Sequence, residues 1–105
     1  MKIAISSAEK DLEGEISEVF GRSPYFLIVT TENGEVKGFE VVENDSVDQA
    51  GGAGVAAAKT VVDKGAEAVI SGAVGPRAEG VLEQFRVKIF LKKGKIKKAI
   101  SEVIE

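Results

Sequence analysis

The sequence predicts a single α/β domain over residues 1–105, a mixed five-stranded sheet with flanking helices. Three observations carry this expectation. Asn33-Gly34 lies between two runs rich in aromatic and β-branched residues, the strongest short-range signal for an antiparallel hairpin. Further on, apolar runs alternate with segments of helical periodicity, as in parallel strands joined by crossover helices. A chain of 105 residues is also long enough for one core without disulfides or a structural metal.

The elements follow in order. Ile3-Ala4-Ile5, ended by Ser6-Ser7, is short and apolar throughout, which suits a central strand buried on both faces. Residues 8–24 are polar and irregular. Ile16, Val19 and Phe20 at i, i+3, i+4 predict a helical turn near 15–20. The hairpin pairs residues 25–31 with 36–42, because Asn and Gly both accept the positive φ of a type I′ turn. Lys37, Glu40 and Glu43 dress the outer strand and discourage edge-to-edge pairing. A polar loop occupies 44–49.

From about Gly52 to Lys64 the spacing becomes helical, with Val55, Ala58 and Val62 on one stripe and Gly65 as the stop. Ala68-Val69-Ile70 is a second buried strand. Gly75 then supplies an N-cap and Pro76 the first helical position, where a missing N–H costs nothing. Ala78, Val81, Leu82 and Phe85 form the apolar face of that helix, and residues 87–91 a third buried strand. Ile96, Ala99, Ile100, Val103 and Ile104 trace a terminal amphipathic helix. The predicted sheet order is outer hairpin strand, inner hairpin strand, first strand, then the two later parallel strands.

Composition removes whole classes of chemistry. The chain has neither cysteine nor histidine, which excludes zinc, haem and thiolate-ligated cluster sites made by this chain alone, cysteine nucleophiles and His-based triads. Its net charge of −3, from 14 basic and 17 acidic residues, gives no general attraction to nucleic acid or acidic membranes. No stretch has the length of a membrane span and the N-terminal apolar run is too short for a signal peptide, so the expected location is cytoplasmic. No nucleophile with an adjacent base can be assembled, and the chain reads as a non-enzymatic protein.

Two glycine-rich turns organise the rest. Gly51, Gly52 and Gly54 precede the first long helix, and Gly72 and Gly75 with Arg77 begin the second. Helix starts surrounded by small residues leave backbone N–H groups free to face an anion. If the first and second buried strands are neighbours, Ser6, Ser7, Gly72, Gly75 and Arg77 converge with Gly51–Gly54 at one sheet edge. Close packing of helix on sheet is the competing account of these glycines. Gly52-Ala53-Gly54-Val55-Ala56-Ala57 matches a dinucleotide pattern by letter, but the motif needs a strand running directly into the glycines, and here a loop intervenes.

Residues 20–26, Phe20-Gly21-Arg22-Ser23-Pro24-Tyr25-Phe26, place Arg22 among aromatics that either rim a ligand or partner groove or tuck into the core. Lys92, Lys93, Lys95, Lys97 and Lys98 read as a solvated face rather than a nucleic-acid surface.

Four motifs in order resemble the dinitrogenase iron-molybdenum cofactor biosynthesis family. They are Met1-Lys2-Ile3-Ala4-Ile5, the Phe20–Phe26 run, Gly51-Gly52-Ala53-Gly54 and Ser71-Gly72-Ala73-Val74-Gly75-Pro76. The resemblance covers nearly the whole chain. It implies a ribonuclease H-like fold and, as cargo, an iron-sulfur or iron-molybdenum cluster precursor. Cluster-handling relatives are expected to carry histidine or cysteine near the loop matching 44–50, and this chain has neither. What remains is carboxylate ligation by Asp45 or Asp48, or hydrogen bonding of an anionic cluster by the glycine turns. Two functions therefore stand: a binding module for a small anionic ligand or metal cluster, or an interaction domain whose 20–25 loop and outer hairpin strand dock a partner protein or a second copy.

Overall fold

The computed structural model describes residues 1–48 and 51–104. Five strands form one mixed sheet: β1 (Lys2–Ser7), β2 (Tyr25–Glu32), β3 (Glu35–Glu43), β4 (Ala68–Ser71) and β5 (Lys88–Leu91). Their order is β3-β2-β1-β4-β5, as the sequence predicts. β1, β4 and β5 run parallel, while β2 is antiparallel to both β1 and β3. Asn33 (φ +52°) and Gly34 (φ +77°) turn the hairpin in the left-handed region that this dipeptide favours.

Three helices cover the sheet: α1 (Ala53–Asp63), α2 (Pro76–Gln84) and α3 (Ile96–Val103). Strand alternation sorts the core into two halves. Ala4, Phe26, Ile28 and Val69 pack with Ala57, Ala58 and Val61 of α1 and with Ala78 and Leu82 of α2. Ile3, Ile5, Leu27, Val29 and Ile70 pack with Ile96, Ala99 and Ile100 of α3. Full burial of each large aliphatic contributes about 1.5–3 kcal/mol. Phe20 and Phe26, both fully buried, lie 4.9 Å apart between ring centroids and add about 0.5–1.5 kcal/mol beyond their area.

Helix α1 ends in a Schellman motif. Gly65 (φ +83°) donates its N–H to Val62 O at 2.9 Å, and Ala66 donates to Val61 O at 3.1 Å. α2 ends the same way, with Val87 N–H on Leu82 O at 2.9 Å, but its left-handed residue is Arg86 (φ +61°).

Four expectations need correction. No α-helical turn forms near 15–20; a 3₁₀ turn occupies Phe20–Arg22, and Ile16 and Glu15 make extended bridges to Ser7 and Lys95. The i, i+4 spacing of Ile16 and Phe20 misleads because the two side chains enter opposite halves of the core while Val19 stays exposed. The buried arc of α1 is Ala53, Ala57, Ala58 and Val61, with Val55 and Val62 only half-buried, since the helix packs on α2 as well as on the sheet. Phe85 falls at the end of α2 and is exposed. β5 is the sheet edge rather than a fully buried strand, and Leu91 is 62% exposed.

Candidate functional site

The first four N–H groups of any α-helix lack intrahelical acceptors. In α1 the first helical hydrogen bond is Ala56 N–H to Gly52 O (3.0 Å), and in α2 it is Glu79 N–H to Gly75 O (2.9 Å). Among the described residues, no side chain caps either start. Gly52 takes φ +73°, and Gly75 with Pro76 enters α2 from extended backbone. Both starts therefore present N–H donors without a partner inside the helix and the positive end of a helix dipole.

Glycines bring these starts together. A Cβ on Gly54 would lie 3.2 Å from Ala78 Cβ, and one on Gly21 would lie 2.9 Å from Gly54 Cα and N. The 3₁₀ turn, α1 and α2 thus meet without intervening side chains. Between them is a cavity of about 530 Å³. Gly51, Gly52 and Gly54 line it from α1, Gly75 and Arg77 from α2, and Arg22 with Gly21 from the 3₁₀ turn. Val19, Val55 and Pro76 give it apolar walls. Among the described residues the lining holds two guanidinium groups and no carboxylate or hydroxyl. Arg77 is exposed, and its guanidinium makes no hydrogen bond or ion pair with the described residues. Arg22 donates from Nη1 to Val47 O at 2.9 Å.

Of the residues singled out in the sequence, Arg22, Gly51, Gly52, Gly54, Gly75 and Arg77 share this cavity. Ser6, Ser7 and Gly72 are not in its lining. Ser7 is fully buried and its Oγ donates to Glu9 O at 2.7 Å while accepting Glu9 N–H at 3.0 Å. Ser6 is also fully buried, and its Oγ has no hydrogen-bond partner among the described residues. Gly72 faces the chain at Glu18, whose backbone O would lie 2.6 Å from an added Cβ. The segment after β1 crosses the ends of β1 and β4: Ser17 N–H reaches Ser6 O at 2.9 Å, Gly72 N–H reaches Ser17 O at 3.0 Å, and Phe20 N–H reaches Ala73 O at 2.9 Å, which leaves Gly72 on a separate cavity with Glu15, Ile16 and Glu18. Phe20 and Phe26 belong to the core, so the aromatic rim is not formed by them. Asp45 and Asp48 are exposed and outside the lining.

Asn44 is the residue that sequence reasoning missed. It is buried, and its Nδ2 donates to Gly21 O (3.2 Å) and Ser23 O (2.8 Å), while Oδ1 accepts from Ser46 N–H (3.2 Å) and Ser46 Oγ (2.7 Å). Ser46 Oγ also lies 3.3 Å from Ala53 O. This knot ties the 3₁₀ turn to the start of α1 and positions the Val47 carbonyl that holds Arg22. An Asn followed two residues later by Ser, an Asx-turn pattern, was the available signal.

The sequence pattern described as "Dinitrogenase iron-molybdenum cofactor" matches residues 1–105. The chain belongs to this family. Within the dinitrogenase cofactor family's fold, the apo orange protein from Desulfovibrio gigas superposes with a TM-score of 0.88 at 27% identity, over 96% of this chain and 84% of that one. A NifB-like protein from Thermotoga gives a TM-score of 0.74 at 37% identity, over 94% of this chain and 83% of its own. An uncharacterised protein of Methanocaldococcus jannaschii is 34% identical over 90 residues, 86% of this chain and 73% of the relative.

Proposed function

We propose that this dinitrogenase cofactor family member is a non-enzymatic binding or carrier module for a small anionic ligand, held between the starts of α1 and α2. One observation carries the reading: two helix starts, uncapped by any described side chain, and two arginines border one cavity of about 530 Å³ whose described lining contains no carboxylate. Such a cavity favours negative charge through N–H donors, helix dipoles and guanidinium groups together. The same lining argues against catalysis, since it supplies neither nucleophile nor general base.

The cargo that family membership suggests is an iron-sulfur or iron-molybdenum cluster precursor. This chain offers no thiolate or imidazole, and no carboxylate in the described lining. A cluster would therefore arrive with its coordination complete and be held by hydrogen bonds and charge rather than by protein ligands.

The test is an amide-shift NMR titration of the full chain with phosphate, molybdate, a nucleotide and an extracted cofactor precursor. Shifts should concentrate at residues 51–55 and 75–78, and Arg77→Ala should weaken binding about tenfold, the effect of losing about 1.4 kcal/mol of charge-assisted hydrogen bonding. Unmoved amides with every ligand, or unchanged affinity in Arg77→Ala, would overturn the reading.

A further inference from the structure

The cavity between the 3₁₀ turn and the starts of α1 and α2 is larger than a bare oxyanion needs. Its volume of about 530 Å³ is room for roughly fifteen to twenty waters at about 30 Å³ each, and a tetrahedral oxyanion displaces only a few of them. Apolar side chains border the remainder, one from each element that meets there: Val19 at the entry to the turn, Val55 on α1 and Pro76 on α2. Val19 is 47% exposed, yet its backbone is fixed on both sides. Its carbonyl accepts Arg22 N–H at 3.2 Å, and the next residue, Phe20, is fully buried and donates its N–H to Ala73 O at 2.9 Å. This wall is formed before any ligand arrives. Apolar walls with a few convergent polar groups, in about 300–1,000 Å³, are the composition of sites for small organic ligands.

Charge narrows the head group. Each helix start acts as about half a positive charge and the guanidinium groups of Arg22 and Arg77 each as a full one, with no carboxylate in the described lining to offset them. A carboxylate brings a single negative charge, whereas a phosphate monoester brings about 1.5 to 2 near pH 7 and three acceptor oxygens. We propose that the cavity takes a phosphate monoester of an apolar, ring-sized alcohol, with the phosphate at the helix starts and arginines and the ring against Val19, Val55 and Pro76. This inference rests on the anionic-ligand reading of the same cavity and adds the body of the ligand to it.

Amide-shift titrations of the full chain with inorganic phosphate, glycerol phosphate and phenyl phosphate test it. Phenyl phosphate should bind at least about tenfold more tightly than either of the others, because only its body removes apolar surface from water. Its shifts should extend from residues 51–55 and 75–78 to Val19. Val19→Ser, at an exposed position, should lower the ratio of phenyl phosphate to inorganic phosphate affinity about threefold or more, with amides remote from the cavity unmoved. Equal affinity for the three probes, with shifts confined to the helix starts, would overturn the proposal and leave the anionic-ligand reading standing. An unchanged ratio in Val19→Ser, or displacement of phenyl phosphate by an equal concentration of extracted cofactor precursor, would also overturn it. No shift with any probe would remove both.

Discussion

Gly72 and Gly75 lie three residues apart, yet the structure gives them opposite sensitivities to one added methyl group. An alanine Cβ at Gly72 would meet Glu18 O at 2.6 Å, Glu18 Cα at 2.8 Å and Glu18 C at 3.1 Å, all backbone atoms that no side-chain rotation can remove. Residues 16–20 would have to withdraw, straining or losing the bonds Gly72 N–H to Ser17 O and Phe20 N–H to Ala73 O. Overpacking costs about 1–3 kcal/mol, and each weakened hydrogen bond up to about 1 kcal/mol more. Reduced freedom of the unfolded chain returns about 0.4–1 kcal/mol. Gly72→Ala should therefore destabilise by about 2–3 kcal/mol, lowering Tm by roughly 10–15 °C in a domain of this size.

At Gly75 no heavy atom lies within 4 Å of the added Cβ, and φ is −66°. The poorer N-cap preference of alanine opposes the same unfolded-state gain, so Gly75→Ala should change stability by less than about 1 kcal/mol. Thermal unfolding followed by circular dichroism, with urea titration as a second measure, checks both. A Gly72→Ala protein melting within about 3 °C of wild type, or a Gly75→Ala protein losing as much as Gly72→Ala, would refute the division into packing and cavity-facing glycines.

Two further predictions address the site's scaffold and the helix ends. Asn44→Ala removes a buried side chain with four hydrogen bonds and should cost about 2–4 kcal/mol in urea unfolding, while shifting the amides of Gly21, Arg22 and Val47 in the NMR spectrum. Arg86 occupies the left-handed position after α2, so Arg86→Gly should stabilise by about 0.5–1 kcal/mol, read as a rise in Tm of a few degrees.

The sequence by itself determined the sheet. Asn33-Gly34 demanded a hairpin, the apolar runs at 3–5, 68–70 and 87–91 demanded parallel strands, and Gly65 and Pro76 marked helix ends, because each of these preferences is local to a few residues. It also indicated which helix starts would border a common cavity, since helix starts rich in glycine are recognisable one at a time. Tertiary structure alone decided which glycines face the cavity. Gly72 and Gly75 look alike in sequence, and they differ only because residues 17–18, more than fifty positions earlier, run against one and not the other. The same holds for Ser6 and Ser7, sealed by the segment that follows them. Ile16 and Phe20 carry a helical spacing that the fold divides between two core halves. Approach between backbones distant in sequence leaves no periodic trace in either segment, whereas strand alternation, turn chemistry and helix caps are local preferences that the chain carries openly.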